Sequence, residues 1–133
     1  MTVAVAERHR GLRQALCGLI DSASDLRLVG HAHDARGLLA LLRHHKPRVL
    51  LLDAGVLAPR GLQALPLICA AHTDTAILIH GFPEASGHER HVRTLGAAGF
   101  LSKAASADTA LAAIRRAAAA ATGPPDRRSA AAD

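Results

Sequence analysis

Aromatic residues are almost missing from this chain: of its 133 residues two are Phe, and none is Tyr or Trp. A core built without them must come from Leu, Val, Ile and Ala. Stacking on nucleobases is correspondingly disfavoured as a binding mode. Cysteine is equally scarce. Cys17 and Cys69 make no disulfide framework and fit a reducing compartment, where small thiols usually pack as apolar groups. No apolar stretch approaches the roughly 20 residues that a bilayer-spanning helix needs. The opening Met1-Thr-Val-Ala-Val-Ala-Glu-Arg lacks the order of a secretion signal. The expectation is a cytoplasmic chain with no membrane partner. A glycine-rich phosphate loop is also missing. The turn after the first apolar run reads Glu7-Arg-His-Arg-Gly11, which argues against P-loop and dinucleotide-binding chemistry.

What is present is enough apolar material for one core, since half of the residues are hydrophobic and the length is that of a single domain. The formal net charge of +5 is scattered from Arg8 to Arg128. Charge spread in this way reads as a solvated surface, and no direct nucleic-acid binding is expected. Apolar spacing alternates along the chain. Val3–Ala6 reads as a strand, and Leu12, Leu16, Leu19 and Ile20 lie on one helical face. Leu26–Gly30 is the second strand, followed by a helix capped by Asp34 and stopped by Pro47. Val49–Leu52 is an unbroken apolar run that ends in Asp53, the signature of a strand buried on both faces. A third helix is expected over Leu62–Ala71, with Pro66 forcing a kink or a late start. Thr75–His80 and Ala98–Ser102 are the fourth and fifth strands. They flank an irregular loop with Gly81, Pro83 and Gly87, and a short helix near Glu89–Leu95. Ser106 suits the N-cap of a last helix that turns Leu111 and Ile114 inward.

Five strands alternating with five helices at this spacing predict an α/β fold, a doubly wound five-stranded parallel sheet. Right-handed crossovers favour the flavodoxin-like order 2-1-3-4-5. The domain is expected over residues 1–121, and 122–133, with Gly123-Pro-Pro125, as a linker or disordered tail. Cys17 and Cys69 should then lie on opposite faces of the sheet. The strand ends would bring Glu7, Asp53, His80 and Lys103 toward one rim.

That rim, with Pro47-Arg-Val-Leu-Leu-Leu-Asp53 and Leu95-Gly-Ala-Ala-Gly-Phe-Leu-Ser-Lys103, resembles a response-regulator receiver domain of two-component signalling. The likeness runs from about Val3 to Ala121. Leu28-Val-Gly-His-Ala and Gly-Phe-Leu-Ser-Lys-Ala-Ala-Ser are similar to receivers that precede a LuxR-type helix-turn-helix. The resemblance implies Asp53 as phospho-acceptor, Gly55 as the backbone carbonyl of a magnesium site, Lys103 as partner of phosphoryl and carboxylate, and Phe100 as an aromatic switch. Glu7 keeps one member of the family's acidic pair, whereas the second falls on Arg8, which is always protonated and cannot ligate a metal. The switch hydroxyl falls on His80 or Gly81, and neither is Ser or Thr. Val56-Leu57 stands where the family usually has Met-Pro.

A cation in place of a ligand works against magnesium. Two unit charges ~4 Å apart interact by roughly 4 kcal/mol at an effective dielectric of 20, cut by solvent at an open rim to about 1 kcal/mol. No metal is therefore expected, and the Arg8 guanidinium is expected in the metal position, paired with Asp53. His31-Ala-His33 and the His88, His91 pair give no complete ligand set. His80 titrates near neutral pH and lies on the rim.

Three functions compete. The first is an atypical, non-enzymatic receiver, a magnesium-independent interaction module in phosphorelay signalling and transcription regulation. It would form a homodimer through the fourth helix, fifth strand and fifth helix, and control a DNA-binding output domain or partner. The second is an ordinary receiver, phosphorylated on Asp53 by a histidine kinase with Mg2+. The third is a small flavodoxin-like ligand-binding domain or enzyme.

Overall fold

The computed structural model describes residues 1–82 and 88–120. Its strands are β1 (Thr2–Ala6), β2 (Arg27–Ala32), β3 (Val49–Asp53), β4 (Ala76–Gly81) and β5 (Gly99–Ser102). Its helices are α1 (Arg10–Asp21), α2 (Ala35–His45), α3 (Leu65–Ala71), α4 (His88–Thr94) and α5 (Ala107–Ala120). The strands form one sheet in the order β2-β1-β3-β4-β5, parallel throughout. This is the doubly wound, flavodoxin-like order that the alternation predicts. No helix among the described residues is long and apolar enough to cross a membrane.

Strand periodicity divides the core in two. Val3, Val5, Val49, Leu51, Leu78 and Leu101 face the layer that holds Leu16, Ile20 and Ile114 of α1 and α5. Ala4, Ala6, Leu50, Leu52, Ile77 and Ile79 face the other, with Leu38, Leu42, Leu65 and Val92. Both faces of β3 are covered, which is why its sequence is continuously apolar. Cys17 packs against the first layer and Cys69 against the second, as expected, and both thiols are free.

Local chemistry sets the helix ends. The Asp34 carboxylate accepts a hydrogen bond from the Gly37 N–H at 2.8 Å, and Ser106 Oγ accepts one from the Thr109 N–H at 3.2 Å, which satisfies otherwise orphaned donors. At the end of α2, Lys46 adopts φ 43° and its N–H reaches the Leu42 carbonyl. Pro66 enforces a late start: a 3-10 turn over Gly61–Ala64 precedes α3, so the helix begins at Leu65 rather than Leu62. The strand β2 runs further than expected, to Ala32, and α4 begins at His88. The expected tail at 122–133 and the loop residues Pro83 and Gly87 lie outside the described residues.

At the end of the sheet opposite Asp53, Arg48 is buried and its Nη2 donates to the Ala118 carbonyl of α5 at 2.7 Å. A cation at the last turn of a helix complements the helix dipole.

Candidate functional site

Four strand ends deliver the rim. Glu7 follows β1, Asp53 ends β3, His80 lies on β4 and Lys103 follows β5. Asp53 pairs in register with His80, and His80 with Leu101. Glu7, Asp53, His80 and Lys103 continue the residue parity of Val5, Leu51, Leu78 and Leu101, so alternation carries all four to one face. Gly81 has the opposite parity. A Cβ built there would stand 3.0 Å from the Phe100 ring. Of the two positions left open by the sequence, His80 faces Asp53, and the Phe100 ring covers Gly81.

The cluster is buried and mixed in charge. Glu7, Asp53 and His80 are 1%, 5% and 4% exposed. Lys103 Nζ sits 3.3 Å from Glu7 Oε1 and 3.3 Å from Asp53 Oδ1, a single ammonium shared by two carboxylates. The other oxygen of Glu7 accepts the His9 N–H at 3.0 Å. His80 Nδ1 is 3.7 Å from Glu7 Oε1, too far for a hydrogen bond. Burial, followed by the Lys103 charge, pushes the imidazole pKa down despite the two nearby carboxylates.

Arg8 reaches over the rim from outside, with Nε donating to Asp53 Oδ2 at 3.1 Å. Its guanidinium lies against Gly55, where any added Cβ would collide with it. The Gly55 N–H donates to Asp53 Oδ1 at 3.2 Å, and the Gly55 carbonyl accepts the Ala58 N–H at 3.2 Å. Burial pushes the Asp53 carboxyl pKa up, but the Gly55 N–H, the Arg8 guanidinium and the Lys103 ammonium together outweigh it. They hold the group below its ordinary carboxylate value. Asp53 is thus kept ionised.

Some contributors gave no signal in the sequence. Arg13 Nη1 donates to the Glu7 carbonyl at 2.9 Å and lies 3.4 Å from that of Arg8, bracing the turn that carries both residues. Phe82, largely exposed, lies under Lys103 Nζ with the ring centroid 5.4 Å away, a cation–π distance. Gly55 offered only a carbonyl position in the sequence, and its lack of a side chain is what makes room for Arg8. Among the described residues no group of three His, Cys, Asp or Glu could hold a metal ion.

A parallel sheet in this order, with an acid, an Asp and a Lys converging at its strand ends, defines a receiver-type module. The chain belongs to the response regulator receiver domain family, whose model matches residues 3–115. That places it in two-component signalling. It is 26% identical to the response regulator GacA of Pseudomonas aeruginosa, over 86% of this chain and 53% of that protein. It is 21% identical to the transcriptional regulatory protein DegU of Brevibacillus brevis, over 85% of this chain and 48% of that protein. The chain therefore spans about half the length of the curated relatives it matches. Among solved structures, the signal receiver domain of NarL from Mycobacterium tuberculosis aligns with a TM-score of 0.77 at 24% identity, covering 90% of this chain and 96% of that one. At that identity the likeness speaks for the fold.

Proposed function

We propose that this chain is an atypical receiver that works as an interaction module without magnesium-dependent phosphorylation. The observation that carries this reading is the Arg8–Asp53 contact at 3.1 Å. Magnesium asks for near-octahedral oxygen donors and gains most from uncompensated carboxylates. Here the candidate donors already face partners: Asp53 has Arg8, Gly55 N–H and Lys103, the Gly55 carbonyl accepts the Ala58 N–H, and one Glu7 oxygen accepts the His9 N–H while the other, without a hydrogen bond, is neutralised by the Lys103 charge. Two cations balance two carboxylates, so a divalent ion would enter without the net attraction that uncompensated carboxylates supply. The residues present do not fit the family's metal.

In this reading Asp53, Arg8 and Lys103 form a fixed ionic cluster that holds the rim in one state. Output is then dimerisation through the α4-β5-α5 surface and control of a DNA-binding domain or partner, with no enzymatic turnover. A second reading has its own support. Asp53 is ionised and has an ammonium at 3.3 Å, which suits a carboxylate nucleophile. An Asp53 that accepts a phosphoryl group from a histidine kinase would use Arg8 as a built-in cation.

Incubation with a small phosphodonor, with and without Mg2+, followed by intact mass measurement, separates the two. The expected result is no Asp53-dependent gain of one phosphoryl mass in either condition. Such a gain, lost in Asp53→Asn, would establish the second reading and overturn the first.

A further inference from the structure

Away from the rim, α2 and α3 leave an open apolar groove of about 320 Å³. Its lining includes Leu38 and Leu39 of α2, Leu57 and Pro59 of the segment after Asp53, and Leu67 and Ile68 of α3. Leu39 and Leu67 are 44% and 70% exposed, two of the three large hydrophobic side chains left exposed among the described residues. Apolar surface gathered in a groove, unlike scattered surface leucines, marks a place that something covers.

Charge narrows what that is. From Ala35 to Thr73 the sequence holds one acid, Asp53, and that acid is buried in the rim. Asp34 and Asp74 stand just outside the two ends of this stretch. The Asp34 carboxylate caps α2 and lies 3.6 Å from His33. Against this, Arg60 lines the groove, and Arg36 and Arg43 flank Leu39 on α2 at helical spacing. All three arginines are exposed. The groove is therefore an apolar slot rimmed with positive charge.

The form of the partner follows from the walls. The lining comes from α2, α3 and the segment after Asp53 and includes no strand residue, so there is no strand edge to extend by β-augmentation. A helix can lay apolar side chains at i, i+3, i+4 and i+7 into such a slot while its flanks meet the rim charges. A second copy of this chain is poorly suited. Among its described helices α1, α2, α4 and α5 each carry more Arg than acid, and α3 carries neither. We propose that the α2–α3 groove docks an acidic, leucine-bearing amphipathic helix of a partner protein.

The test uses the whole chain and a fluorescein-labelled synthetic helix with Leu at i, i+3, i+4 and i+7 and Glu at the flanking positions. Saturable anisotropy is expected, falling with added salt, with amide shifts at Leu39 and Leu67 in the isotopically labelled protein. Leu67→Glu and Arg60→Glu should each weaken binding at least about tenfold, a change of ~1.4 kcal/mol. Both positions are exposed, so unchanged melting curves will show that the variants fold. The proposal is overturned by absence of saturation, by equal binding of the same helix with Lys in place of Glu, or by shifts confined to β5 and α5. Self-association abolished by Leu67→Glu, with no binding of the acidic helix, would assign the groove to a second copy instead.

Discussion

Arg8 and Gly55 act as a pair although 47 positions separate them, because the guanidinium can lie over Asp53 only where residue 55 has no side chain. The Arg8 side chain is 57% exposed and that of Asp53 7%. Water therefore screens much of their attraction, so the contact adds little stability, and in the proposed reading its part is to limit ion access. Exchanging the guanidinium for a carboxylate should reverse that preference. Arg8→Asp frees Asp53 Oδ2 and supplies the missing acid of the pair, and its affinity for Mg2+ is expected to exceed that of the parent chain at least about tenfold, ~1.4 kcal/mol. A magnesium titration followed through the amide shifts of Asp53 and Gly55 measures this, and equal affinity in the two proteins would show that Arg8 does not govern the site. The identity of each rim residue was legible in the sequence, because strand ends can be read from apolar runs. Which of His80 and Gly81 takes the position of the family's switch hydroxyl was not, since one residue of register turns a side chain to the other face. The parts played by Arg13 and Phe82 depend on where long side chains end up in space, and no local pattern encodes that.

Elements were easier to read than their boundaries. The unbroken Val49–Leu52 run and the helical spacing of Leu12, Leu16, Leu19 and Ile20 reflect burial on two faces and on one, and the structure has β3 and α1 in those roles. The start of the third helix was ambiguous because Pro66 tolerates either a kink or a first-turn position, and packing of Leu65 into the core selects the latter. A similar tension ends α2. Lys46 takes a left-handed conformation, φ 43° and ψ 58°, that glycine adopts without steric cost and other residues rarely do. Lys46 is also exposed, so the substitution removes no buried contact. Lys46→Gly is expected to stabilise the fold by about 0.5–1 kcal/mol after the greater entropy of an unfolded glycine is deducted. Urea denaturation with an unchanged m-value would register the gain. A loss of stability would mean that the lysine contributes through the carbonyls at the end of α2.

For the molecule as a whole, the rim couples folding to pH through two groups, Asp53 and His80. Asp53 has its pKa lowered in the folded chain, so its contribution is complete above the ordinary Asp value of about 3.9 and is lost as pH falls through the folded value. The His80 pKa is also lowered, first by burial and then by Lys103, but for a base the consequence falls near neutrality. Below about pH 6.5 the unfolded chain takes up a proton that the folded chain refuses. Stability is therefore undiminished by His80 above that pH and falls as the solution is acidified, until the folded imidazole itself is protonated. One proton limits the slope to about 1.4 kcal/mol per pH unit. The measurement is a series of urea unfolding curves from about pH 7.5 to 5 for the parent chain and for His80→Gln, which keeps a polar side chain but does not titrate. The parent should lose stability across the lower half of this range, and the variant should lose less over the same interval. Parallel curves would show that His80 stays accessible enough to titrate alike in both states, and that the Glu7, Asp53, His80 and Lys103 cluster is looser in solution than its burial implies.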